Sequence, residues 1–121
     1  MSMRPNPVFD CVEALRRVDQ DLETFLALVE LFVEQGPKEF ASIKAAVDLK
    51  NPDALAKSAH RLKGAVLQFC APATLEAAKT LESLGKAGNL TEASEACAKL
   101  ELELHQLLDE LRRTLEKGLA A

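Results

Sequence analysis

The chain is 121 residues long, room for one domain whose apolar core needs no disulfide or metal staples. Hydrophobic residues make up 48% of it but aromatics only 4%, with no Trp or Tyr, so the stacking platforms used for single-stranded nucleic acids cannot be assembled. The net charge of −4 likewise argues against a nucleic-acid partner, and the recurrence of Leu and Ala favours helix over sheet.

Punctuation divides the chain into five or six expected helices, with residues 1–7 a loose start to a single domain spanning 1–121. Residues 9–18 are expected to form a short helix with Val12 and Leu15 inward, after which Asp19 suits an N-cap. From Leu22, the residues Phe25, Leu26, Val29, Phe32 and Val33 recur at the three- and four-residue steps of an amphipathic helix. Gly36-Pro37 should bend or interrupt it before Phe40, Ile43 and Val47 continue the pattern to about Leu49. Lys50 and Asn51 make a turn, and Asn51 as cap with Pro52 as first helical residue starts a helix that should reach Cys70. Pro72 opens the next, ending in the Gly85 to Gly88 region. Asn89-Leu90-Thr91-Glu92 is close to a capping box. Leu100, Leu104, Leu107, Leu111 and Leu115 then define a long final helix that Gly118 can stop. Short connections between long amphipathic helices force antiparallel neighbours, so the expected fold is all-α: an antiparallel four-helix bundle with an additional short N-terminal helix.

Cys11, Cys70 and Cys97 show no zinc-knuckle or redox spacing and are expected as buried thiols. Residues 1–7 lack a basic region followed by an apolar stretch, and no uncharged apolar run approaches membrane-spanning length. A cytoplasmic, reduced setting without membrane contact is therefore expected.

On the helix from Pro52, Leu55, Ala59, Leu62, Val66 and Phe69 share one stripe. His60 lies off that stripe beside Ala56, Lys63, Gly64 and Leu67, so it should project from the bundle. An accessible neutral imidazole can attack an acyl phosphate, and the product then needs a cation near the phosphate oxygens. Lys63, one turn on, is in reach. Gly64 costs roughly 1 kcal/mol in a helix interior relative to Ala, and the missing bulk gives a phosphate and a partner's active site room to approach. Ala56 keeps the other side low, and Leu67 offers apolar docking surface. Glu82 stands as far after the Cys70 to Pro72 turn as His60 stands before it, so the two should be level in an antiparallel pair. There Glu82 could orient the ring or pair with Lys63. Lys79 and Lys86, on a similar side of the Glu82 helix, and Gln68, beyond Leu67, join it as candidates for supporting positions. A solvated charged face is an equal reading of Glu82, Lys79 and Lys86. Glu101 and His105 make an i, i+4 pair, but no further His or Cys accompanies it as a metal site would require.

The run Ala59-His60-Arg61-Leu62-Lys63-Gly64 resembles the signature of the histidine-containing phosphotransfer (HPt) family: His, any residue, Leu, Lys, Gly. The resemblance extends through Phe9-Asp10, the acidic helix entry around Asp19, Leu31-Phe32, Leu81-Glu82 and the Gly88-Asn89-Leu90 turn. It departs from the family pattern at Ala65, where Ser is frequent, and at Phe69-Cys70, where a Leu-Gly pair is. The residues after His60 also lack the Glu and Asn-Pro pattern of dimerising sensor-kinase helices. The resemblance implies a phosphorelay intermediate with His60 as phosphoacceptor, Lys63 as phosphate-steadying cation and Gly64 as the residue that gives access. It implies a response-regulator receiver domain and a sensor or hybrid histidine kinase as partners, and a monomer. No cofactor of its own is expected, and any Mg²⁺ would sit in the receiver. With no glycine-rich phosphate loop or kinase nucleotide signature, the chain should not phosphorylate itself from ATP. The rival expectation is a non-catalytic helical module that uses the same face to bind a receiver or another signalling partner.

Overall fold

Asp21 opens the first helix, its side chain accepting a hydrogen bond from the Thr24 backbone N–H at 3.2 Å and another from the Thr24 hydroxyl at 2.8 Å. This computed structural model describes residues 21–117 together with Arg16 and Val18. The expected helix over residues 9–18 falls outside them except for those two residues, and so do Cys11, Asp19 and Gly118. The cap of the first described helix is thus Asp21 rather than Asp19. The helix, α1, spans Leu22–Asp48 without a break. Gly36-Pro37 therefore does not interrupt it. Pro37 is exposed, so the hydrogen bond it cannot donate is missing on the wet side, while buried Gly36 leaves room for the Phe32 ring, which a Cβ would meet at 3.2 Å.

α1 stops where Lys50 turns left-handed (φ 54°), and the Lys50 and Asn51 N–H groups donate back to Val47 and Ala46 at 3.1 and 2.9 Å. Asn51 immediately caps α2, Pro52–Val66, by accepting from Ala54 N–H at 3.1 Å. The expected helix to Cys70 is shorter than read: after Val66 the chain tightens into a 3-10 turn, Leu67–Phe69, and Cys70 itself is left-handed (φ 53°). That backbone conformation suits glycine, so Cys70 holds it with a Cβ that glycine would lack. Cys70 is half-buried, whereas Cys97 is buried as expected.

α3, Pro72–Ala87, ends at left-handed Gly88 (φ 68°), with Gly88 and Asn89 donating to Gly85 and Leu84. The expected capping box is instead an Asn89 turn: its side chain accepts from Thr91 N–H at 3.2 Å, and α4 begins only at Ala93, running to Lys117. α1 packs on α2 and α4, and α3 also packs on α2 and α4, closing an antiparallel four-helix bundle. The predicted α2 stripe of Leu55, Ala59, Leu62, Val66 and Phe69 is buried, as are Leu100, Leu104, Leu107 and Leu111 of α4. Phe69 seals the core, its ring centroid 5.2 Å from that of Phe32 and 6.4 Å from that of Phe25. No described helix is long and apolar enough to cross a membrane.

Candidate functional site

The α2 and α3 backbones approach closely at one point. A Cβ on Gly85 would lie 2.6 Å from the Ala56 backbone nitrogen and 2.8 Å from the Pro52 carbonyl oxygen. Only glycine fits that contact, and it fixes the register of the two helices. One turn from Gly85 on α3 stands Glu82, and one turn from Ala56 on α2 stands His60. The close approach therefore sets these two side chains level.

His60 projects with two-thirds of its side chain exposed, while Glu82 is only 5% exposed. Between them His60 Nδ1 and Glu82 Oε2 are 2.7 Å apart. Glu82 is ionised and can only accept, so Nδ1 carries the hydrogen and a neutral ring has its lone pair on outward-facing Nε2. Two lysines complete the cluster: Lys63 Nζ is 2.7 Å from Glu82 Oε1, and Lys86 Nζ is 3.3 Å from Oε2. Chiefly the Lys63 hydrogen bond, helped by His60 and Lys86, holds the Glu82 carboxyl down from the ordinary 4.5 to about 2 against the opposing effect of burial.

Around the ring runs an open groove of about 480 Å³, lined by Asp53, Ala56, Lys57, His60, Arg61, Glu82 and Lys86. Gly64 has open space where its Cβ would be, and Leu67 is 44% exposed. The structure thus brings together His60, Lys63, Ala56, Glu82 and Lys86. It does not gather all the supporting candidates: Lys79 pairs with Glu76 at 4.0 Å, and Gln68 is exposed in the 3-10 turn outside the Glu82 cluster. His105 is exposed on α4, and no group of three or more potential metal-ligating side chains gathers among the described residues.

Sequence reading passed over the groove's rim. Lys57 pairs with Asp53 at 3.1 Å, and Arg61 Nε donates to Glu39 of α1 at 3.1 Å. Their helical offsets from His60 were a usable signal, whereas the role of Gly85 was hidden because it depends on which backbone lies opposite.

The Hpt domain family model matches residues 27–114, most of the chain and the whole of this site. The chain belongs to the Hpt family. Hpt domains are the histidine phosphotransfer modules of phosphorelays, and the HxLKG run of this one lies on α2 at the groove. The fold agrees with the crystal structure of histidine-containing phosphotransfer protein B (HptB) from Pseudomonas aeruginosa PAO1. The TM-score is 0.85 at 21% identity, over 92% of this chain and 96% of that one. No curated protein matches the sequence.

Proposed function

We propose that this Hpt domain carries a phosphoryl group on Nε2 of His60, taking it from or giving it to the aspartate of a response-regulator receiver domain. The observation that carries this reading is the 2.7 Å contact from His60 Nδ1 to buried Glu82, made by a ring that is otherwise open to solvent. It orients the imidazole and leaves Nε2 as the nucleophile. Nε2 attacks the phosphorus of an aspartyl phosphate. The N–P bond forms as the P–O bond breaks, and its electron pair leaves on the aspartyl carboxylate. The ring keeps its proton on Nδ1 and gains positive charge, which Glu82 offsets. Transfer onward to a receiver reverses these steps.

Lys63 adds positive charge beside the ring, the open space at Gly64 admits the partner, and Ala56 and Leu67 supply apolar docking surface. The donor is a sensor or hybrid histidine kinase, directly or through a receiver; any Mg²⁺ sits in the receiver's acidic pocket. The carrier works as a monomer in the cytoplasm.

Incubation with a panel of phosphorylated receivers tests the proposal. Acid-labile, alkali-stable label should appear on the wild-type chain and be absent from His60→Gln. Stable binding to a receiver with no label from any donor would replace the carrier by a binding module.

A further inference from the structure

Two lysines face one carboxylate beside His60. Glu82 Oε1 takes Lys63 at 2.7 Å, and Oε2 takes both His60 Nδ1 at 2.7 Å and Lys86 at 3.3 Å. Charge counting leaves one cation in excess next to the outward ring nitrogen. The two lysines are held differently. Lys63 has only a quarter of its side chain exposed, makes the shorter contact and has an oxygen to itself. Lys86 is 69% exposed, makes the longer contact and shares its oxygen with the imidazole. Lys86 lines the groove that His60 opens into, and Lys63 does not.

A phosphoryl group on Nε2 brings a charge of about −1.5 to −2 into this groove. A lysine that turns to meet it must let go of Glu82. Withdrawing Lys63 would strip a buried carboxylate of its tightest cation, which is costly. Withdrawing Lys86 leaves Glu82 still paired with Lys63 and His60, and an exposed side chain rearranges at little cost.

We infer that Lys86 is the cation that moves from Glu82 onto the phosphoryl oxygens of phosphorylated His60, while Lys63 stays on Glu82 as its fixed partner. This rests on His60 being the phosphoacceptor. Lys86 is then a phosphate-holding residue, and Lys63 a positioning residue that acts through Glu82 on the ring.

The test uses phosphoramidate, a small donor that needs no docking surface, with Lys86→Gln, Lys86→Arg and Lys63→Gln beside the wild type. Lys86→Gln should take up phosphoryl about fivefold more slowly, the size expected of a charge-assisted hydrogen bond at a partly exposed position. Lys86→Arg should return to within about twofold, since the guanidinium also binds phosphate. In ³¹P NMR titrations the second ionisation of the phosphoryl group should move to higher pH in Lys86→Gln and stay near wild type in Lys63→Gln. Wild-type uptake by Lys86→Gln with an unmoved ³¹P titration, or a shift seen in Lys63→Gln instead, overturns the inference and leaves the carrier reading standing. Failure of the wild type to form phosphohistidine while His60 is intact overturns both.

Discussion

A carboxylate only 5% exposed would ordinarily take up a proton to escape the cost of burying charge, yet Glu82 is held down to about 2 by Lys63, His60 and Lys86. Its folded value lies below its unfolded one, so between about 4.5 and about 2 the unfolded chain binds more protons. The stability it contributes is complete above the upper limit and is lost as pH falls towards the lower. Glu82→Gln removes the titrating group. It should cost about 2 kcal/mol at neutral pH, between the roughly 0.5 of exposed pairs and the roughly 4 of buried ones. It should also flatten the acid limb of stability, followed by urea denaturation from pH 5 down to pH 2. An acid limb as steep as the wild type's would mean that other carboxylates control acid unfolding. Its level with His60 was legible from counting residues across the Cys70 to Pro72 turn. Its burial was not, because a Glu beside two lysines on α3 reads as a solvated face until the opposing helix is known to press on it.

At the scale of elements, two glycines with the same propensity cost have opposite reasons to be there. Gly64 is exposed on α2 with nothing within 4 Å of a would-be Cβ, so the packing does not need it. Gly64→Ala should stabilise the bundle by about 0.5–1 kcal/mol, the helix-propensity difference. Gly64→Val should fold normally and bind a receiver more weakly, because the added bulk meets the partner. A Cβ on Gly85 would meet backbone atoms at 2.6 and 2.8 Å that cannot rotate away. Gly85→Ala should destabilise by about 1–3 kcal/mol, as overpacking does. By wedging α2 from α3 it should also slow phosphoryl uptake about tenfold through loss of the Glu82 contact to His60. Thermal melts and uptake rates on the three variants check the pattern; a Gly85→Ala protein with wild-type uptake would show that the helix spacing does not set the ring. Periodicity made the α2 and α4 faces readable, since a buried stripe is a property of one helix. The continuity of α1 through Pro37 was less so, because interruption depends on whether the lost hydrogen bond faces water or core, and Pro37 is exposed.

Across the whole molecule the charge is uneven. The chain carries a net −4, and on α4, diagonally across the bundle from α2, exposed Glu95, Glu101, Asp109 and Glu116 are interspersed with exposed Lys99, Arg112, Arg113 and Lys117. Lys57, Arg61, Lys63 and Lys86 cluster instead around His60, against Asp53, Glu39 and Glu82, which leaves the groove one positive charge in excess. Composition carries the sum, but only the bundle shows that a positive excess gathers at the groove while the exposed charges of α4 are mixed. A receiver offers an acidic pocket, so the local patch attracts it and the global charge repels it. Helix axes in a bundle are about 8–10 Å apart, which puts the far face of α4 beyond the screening length of about 8 Å at physiological salt. The groove's charge should therefore govern docking, and the association rate with a receiver should fall about three- to tenfold between ~0.05 and ~0.5 M salt. Stopped-flow measurement across that range decides the sign. A rate that rises with salt would mean that the net −4 controls the encounter, and a flat one that apolar contact at Ala56 and Leu67 outweighs both charges.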